Sequence, residues 1–309
     1  MTAEELNAHI ADGSINEVIR VAEARQVKRL SRIADEACAR EGVCLVLVAG
    51  TSAAGKTTTA KRLCTQLLVN DRPAAMHLST DDYFVGDALN PRDEKGELDY
   101  EHVRCVDIPR LASDINALLQ GEAIPRRRFD FVTHTPYYAD AYVSLPLGGT
   151  IVLEGIHALN PLLTEGIDDG RKFRVYVEPQ PSLDVFGGFC PSPADARFLR
   201  RMVRDCQFRK RNPAETVHLW PKVRAGEAKW IEPFRDEADA LFDSYLVYEL
   251  AALKSFVGGM LERCRRELGA DPVVEKMRRQ LRTVEPISPE AIPGDSILRE
   301  TIGGSQLEY

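Results

Sequence analysis

Eight consecutive residues constrain this chain more than any other feature. Gly50-Thr-Ser-Ala-Ala-Gly55-Lys56-Thr57 satisfies GxxxxGK[ST] at every fixed position. Before it lies Val43-Cys-Leu-Val-Leu-Val48, a continuous apolar run typical of a strand buried on both faces. After it, Lys56–Leu68 carries Ala60, Leu63, Leu67 and Leu68 on one helical stripe. A strand, a glycine turn and a helix are the context this motif needs. The glycines let successive N–H groups turn inward around phosphate oxygens, and the helix adds its positive N-terminal end. Gly50, Thr51, Ser52, Ala53, Ala54, Gly55, Lys56, Thr57 and Thr58 are the expected phosphate-binding residues. Lys56 would reach the terminal phosphates and Thr57 would offer a hydroxyl to Mg²⁺. The expected ligand is a nucleoside triphosphate.

The flanking pattern predicts an α/β fold with a parallel sheet in three αβα layers. Ala74–Ser79, Thr150–Leu153 and Lys172–Val177 read as further strands, with another near Ala240–Tyr245. Ile108–Leu119 and much of Asp195–Glu267 read as helix. Residues 1–41 form an expected helical extension, 42–270 the catalytic domain, and 271–309 a C-terminal tail. Within that tail, Val284–Gly304 has three prolines and three glycines and is expected to pack little. Forty basic against 47 acidic side chains give −7, which argues against nucleic acid or an anionic membrane as partner. The first ten residues have two acids and no Lys or Arg, unlike a secretory signal. The charge-free apolar stretches are too short for a membrane helix. Seven cysteines without a CxxC spacing read as reduced thiols, so the expected location is cytoplasmic.

A kinase needs an acid to accept the acceptor's proton, a second acid near Mg²⁺, and cations over the transferring phosphoryl. No Asn-Lys-x-Asp guanine reader is present. Ser79-Thr-Asp81-Asp82 closes the second strand, where open α/β sheets bind their ligands, and Asp81 is the expected base. Glu154 ends the third strand and is the expected second acid; Thr57, Asp81 and Glu154 form the candidate metal set. Asp195–Arg211 holds seven cations and two acids in 17 residues. Arg197, Arg200 or Arg201, and Arg204 share one helical face, which suits an arginine lid closing on phosphates.

GTSAAGKT, LSTDDYF, RFDFVTH, EGIHALN and DARFLRRMVRD, in this order, resemble the uridine kinase branch of the phosphoribulokinase/uridine kinase family. A later run, IEPFRDEAD, is similar to that family's IxPxxxxAD segment. The resemblance implies a nucleoside-kinase-like P-loop fold and transfer of the γ-phosphoryl of ATP, or alternatively GTP, to a nucleoside 5′-hydroxyl with Mg²⁺. It implies that Asp81 is the general base and that Asp99 holds the ribose hydroxyls. Phe129 and His134 would contact the base, and Arg197, Arg200 and Arg204 would form the lid. Tyr83 and Arg201 complete the expected substrate contacts, and homo-oligomers are expected from relatives. Three departures fall on the acceptor side: Phe129 replaces a tyrosine, Pro136 replaces an arginine, and Asp99-Tyr100-Glu101 stands where Asp-His-Pro is usual. A purine nucleoside, a sugar or polyol, a ribulose phosphate or a pantothenate-type alcohol are the alternative acceptors. A nucleotide-binding regulator without catalysis is the alternative from another class.

Overall fold

The structure, a computed structural model, describes residues 1–308. Two helices lead the chain, α1 (Ala3–Ala11) and α2 (Ile15–Ala39). They are followed by β1 (Leu45–Ala49), α3 (Lys56–Val69) and β2 (Ala75–Ser79). Next come α4 (Ile108–Leu119), a hairpin of β3 (Ile124–Asp130) and β4 (Thr135–Val143), then β5 (Thr150–Glu154) and β6 (Lys172–Glu178). The remainder is α5 (Pro193–Phe208), α6 (Pro213–Trp230), β7 (Ala240–Asp243), α7 (Glu249–Leu268) and α8 (Pro272–Leu281), with a helical turn at Arg299–Ile302.

Five strands pair in parallel in the order β2-β5-β1-β6-β7. Side chains of a strand alternate between faces, and β1 divides accordingly. Val46 and Val48 join the core formed with α2, α3, α5 and α7, whereas Leu45, Leu47 and Ala49 join the core under α4. The three-layer expectation is met. The order reverses at β1, between β5 and β6, and this opens the crevice at the carboxyl ends of the strands where ligands bind in such sheets. Register then sets the site: Glu154 lies beside Val48 of β1 and Ser79 of β2.

The β3–β4 hairpin had no signal in the sequence. Ile-Pro-Arg-Arg-Arg-Phe-Asp is mostly half-buried and Thr135–Val143 mostly exposed, so neither carries the apolar alternation of a strand that covers a core. Its turn is set locally: Asp130 accepts from the N–H groups of Val132 and Thr133 at 2.7 and 3.2 Å.

The C-terminal expectation is corrected. Val284, Ile287, Ile292, Ile297, Leu298 and Ile302 are all buried, in one core with Leu6, Ile19 and Leu30 of the N-terminal helices. Prolines and glycines shape this segment without loosening it, because its carbonyls have a partner: Arg299 donates to the carbonyls of Pro289, Pro293 and Gly303. The two ends of the chain and the sheet therefore share one hydrophobic core.

Gly155 shows how close the strand ends lie. A Cβ there would fall 1.7 Å from Thr80 Oγ1, so β5 reaches the Ser79–Asp82 turn only with glycine. Gly155→Ala should lose at least ~1–3 kcal/mol in urea unfolding, as other overpacked positions do. An unchanged midpoint would show that the turn yields freely.

Candidate active site

The phosphate loop connects β1 to α3. Gly50 lies against β6, where a Cβ would meet the Val177 carbonyl oxygen at 2.2 Å. Ala53 takes a positive φ of 59°, an uncommon conformation for a residue with a Cβ. Gly55, at φ 92°, begins α3 in the left-handed region. Lys56 Nζ folds back to donate to the Thr51 carbonyl at 3.2 Å.

The loop is fixed from beneath by α5. Arg197 donates to the Ser52 carbonyl at 3.0 Å and to both oxygens of Glu227 at 2.6 and 3.0 Å. Glu227 in turn accepts the Ser52 N–H at 2.9 Å. Arg200 donates to the Ala54 carbonyl at 3.2 Å and is held by both oxygens of Glu249 at 2.6 Å. Arg197, Arg200, Glu227 and Glu249 are all buried. Burial pulls the Arg200 pKa down, but Glu249 more than offsets this and the guanidinium stays firmly charged.

This corrects the arginine lid. The helical spacing did align Arg197, Arg200 and Arg204, yet α5 is a core helix with Phe198, Leu199, Met202 and Val203 buried on it. Arg197 and Arg200 support the loop and do not cover it. The cations that face the cleft are Arg201 and Arg204, joined by Arg209 and Arg211 beyond the helix. Three of them converge on the buried carboxylate of Asp205, at 3.4 Å from Arg201, 3.1 Å from Arg204 and 3.8 Å from Arg209. One acid cannot balance three cations, and the site keeps a positive excess suited to phosphate. Burial and the neighbouring Arg204 push Arg209 down to about 9 despite Asp205.

Three oxygen-bearing side chains meet at the strand ends. Glu154 accepts from Ser79 Oγ at 2.7 Å and Thr57 Oγ1 at 3.2 Å, with His77 Nε2 at 3.6 Å. Burial pushes its pKa up, but His77, Lys56 and Ser79 outweigh this and hold it below the ordinary value. Asp81 goes the other way, raised to about 6 by burial and by the Glu154 charge, with Lys56 and Arg209 pulling against them. Asp82 is committed to Arg128 at 2.6 Å, whereas Asp81 borders the cavity that also holds Lys56 and Arg209. Hard oxygen donors of this kind fit Mg²⁺, which keeps several waters and takes few protein ligands.

Beside Asp81 opens a cavity of about 240 Å³. Phe84, Phe129 and Phe131 wall one side, with ring centroids 5.2–6.1 Å apart. Asp99, Tyr100, Glu101 and His134 line it as well, with Lys56, Arg201 and Arg204. His134 Nδ1 lies 2.7 Å from the Tyr100 hydroxyl and 3.1 Å from Asp87. Asp81, Asp99, Phe129, His134 and Arg201, distant in sequence, are thus brought to one cavity. Tyr83 borders the adjoining cleft with Thr57 and Glu154 instead, and its hydroxyl donates to Asp114 at 2.9 Å.

Glu101 was legible only as a departure from the family pattern. Gly226 of α6 lets it in, since a Cβ there would lie 2.5 Å from Glu101 Cβ. Its Oε2 is sealed from solvent without a hydrogen-bond partner among the described residues, and burial pushes the carboxyl up to about 7. The roles of Glu227 and Glu249 gave no signal, because the loop-holding arginines they pair with are 30 and 49 residues away.

Arg200→Ala leaves Glu249 buried and uncompensated. The expected loss is about 3–5 kcal/mol in chemical unfolding without nucleotide. Normal stability with a fall in activity alone would return Arg200 to a phosphate-contacting role.

A model of the Phosphoribulokinase / Uridine kinase family matches residues 45–251. A uridine kinase of Deinococcus deserti is 31% identical over 195 residues, covering 63% of this chain and 84% of its own. One from Halobacterium salinarum is 30% identical over 195 residues, covering 63% and 77%. A solved structure of a possible uridine kinase from Bacillus stearothermophilus aligns at 21% identity with a TM-score of 0.46, covering 72% of this chain and all of that one. Among the described residues, no helix is long and apolar enough to cross a membrane. With its phosphate loop and strand-end acids inside the matched region, the chain belongs to the phosphoribulokinase/uridine kinase family of P-loop kinases.

Proposed function

We propose that the protein transfers the γ-phosphoryl of ATP to the 5′-hydroxyl of a nucleoside bound in the cavity beside Asp81. The observation that carries this reading is Asp81 itself, a strand-end carboxyl that lines one aromatic-walled cavity together with the phosphate-loop lysine. The base would lie against Phe129 and Phe131 and reach His134, which Tyr100 and Asp87 orient. Asp99 and Glu101 would take the sugar hydroxyls, giving the orphaned Glu101 oxygen a donor. Mg²⁺, held through Thr57 with Asp81 and Glu154, would neutralise phosphate charge. As the acceptor oxygen bonds to the γ-phosphorus, its proton passes to Asp81 and the bond to ADP breaks. Lys56, Arg201, Arg204 and Arg209 would stabilise the equatorial oxygens. The seven free cysteines support a reducing, cytoplasmic setting.

The cations at the cavity mouth favour a second reading. Arg209, Arg211 and Lys222 line the same space. An acceptor that already carries a phosphate or carboxylate would meet them, as a sugar phosphate or hydroxy acid would. ADP release measured across nucleosides, sugar phosphates and hydroxy acids separates the two. No stimulation above the ATP-alone rate by any of them would contradict acceptor phosphorylation.

Asp81→Asn should lower kcat by about 10²–10⁴, the usual contribution of a general base, with ATP affinity measured without Mg²⁺ near wild type. Full activity in that variant would rule Asp81 out as the base. Because only the ionised carboxylate accepts a proton, kcat/KM should rise with pH to a plateau above about 6, an acid limb absent from Asp81→Asn. The stability consequence has a definite sign. A carboxyl raised in the folded state is penalised once the unfolded chain ionises, so stability falls as pH rises from about 4 towards 6. Asp81→Asn should therefore raise Tm at pH 8, with the gain fading towards pH 4; an equal gain at both would contradict the assignment.

A further inference from the structure

The C-terminal segment reaches the phosphate loop from outside the region matched to the family, which ends at residue 251. Glu300 accepts from the Thr58 N–H at 3.2 Å and from the Thr58 hydroxyl at 3.0 Å. Thr58 lies in the first turn of α3, whose start at Gly55 has no side-chain cap of its own. The amides of such a turn lack intrahelical partners and point at the phosphate site. Ile297 packs on Gly55, where a Cβ would meet its Cδ1 at 2.4 Å. Beyond Glu300, Gly303, Gly304, Ser305 and Leu307 border a cleft that also contains Lys56, Thr57, Asp81 and Glu154.

We propose that Ser296–Leu307 is a built wall of the donor-nucleotide site and that Glu300 is a positioning residue for the phosphate loop. The proposal rests on the P-loop kinase reading of that cleft. The burial of its first half, Ser296–Ile302, distinguishes a wall from a loose strap, and Gly303–Leu307 continues from that anchor along the cleft, half-buried to exposed. Ser296 and Leu298 are fully enclosed, Ile297, Thr301 and Ile302 are buried, and Arg299 ties several carbonyls together. Such a segment orders the first turn of α3 before nucleotide arrives, so its contacts contribute to binding through preorganisation. The Glu300 charge is set against Arg200 and Lys61, which lie in its field. Glu300 itself borders the cleft, so it is this offset of its charge, not distance from the phosphates, that lets it hold the Thr58 amide and hydroxyl.

The test compares MgATP binding by calorimetry in wild type, Glu300→Ala and Glu300→Gln, well below their melting temperatures. Losing the acceptor should weaken MgATP about five-fold or more, the equivalent of one or two net hydrogen bonds. Glu300→Gln, whose amide oxygen still accepts, should stay within about two-fold. The acceptor KM should not change in either variant. Hydrogen exchange over 296–307 should slow when MgATP binds. Wild-type affinity in Glu300→Ala, even with a lower Tm, would reduce Glu300 to a fold-stabilising contact and overturn the proposal. Tighter binding, or faster exchange of the segment on adding MgATP, would overturn it in the opposite sense, as the mark of a competitor for the site. A wild-type protein that fails to bind MgATP at all would refute the phosphate-loop reading and this inference with it.

Discussion

Two buried arginines grip the phosphate loop by its outward carbonyls, and the active site is built around the position they give it. Arg197 takes the Ser52 carbonyl and Arg200 the Ala54 carbonyl, while Glu227 accepts the Ser52 N–H. In a trans peptide the N–H points opposite to the C=O, so tying the Ser52 and Ala54 carbonyls outward turns the Ala53 and Gly55 amides the other way before any ligand arrives. Guanidinium suits the task because its planar fork reaches a carbonyl and a carboxylate at once. Burying such charges is costly unless each is matched, and Glu227 and Glu249 provide the match.

The loop in turn fixes the electrostatics around Asp81. The Lys56 charge acts on both Glu154 and Asp81, and the parallel register sets both acids at neighbouring strand ends. Their environments push the two carboxyls apart. Glu154 is surrounded by Ser79, Thr57 and His77 and stays ionised, whereas Asp81 is penalised by burial and by Glu154 itself. Divergent carboxyl environments of this kind commonly mark an acid–base division of labour. On the proposed function, Glu154 would be the metal-side anion and Asp81 the proton acceptor beside the cavity.

Much of this was legible in the sequence, for identifiable reasons. The buried strands β1, β5 and β6 announce themselves as apolar runs, and GTSAAGKT has a strict spacing, so they and the phosphate loop were readable. Half-buried β2 at the sheet edge was read from a short run ending in a polar group. Asp81 and Glu154 followed from their places at strand ends. The hairpin was not readable because a half-exposed ribbon does not need apolar alternation. Helical spacing brought Arg197, Arg200 and Arg204 to one face correctly but could not say what that face packs against. Their partners Glu227 and Glu249 sit on other helices and leave no local trace. The partner of the Tyr83 hydroxyl, Asp114 on α4, was unreadable for the same reason. Proline and glycine content misled for the C-terminal segment, whose order comes from Arg299 and from spaced apolar anchors.

Whether α5 sets the phosphate loop is most directly tested by replacing a whole ion pair with apolar side chains of similar size. Arg197→Met combined with Glu227→Leu removes both buried charges, and such exchanges are often neutral for stability. It also removes the contacts that hold the Ser52 peptide. The double variant should therefore fold with near-normal stability and bind MgATP at least about ten-fold more weakly, from two lost hydrogen bonds to charged groups. A stably folded double variant that binds MgATP with wild-type affinity would contradict the account.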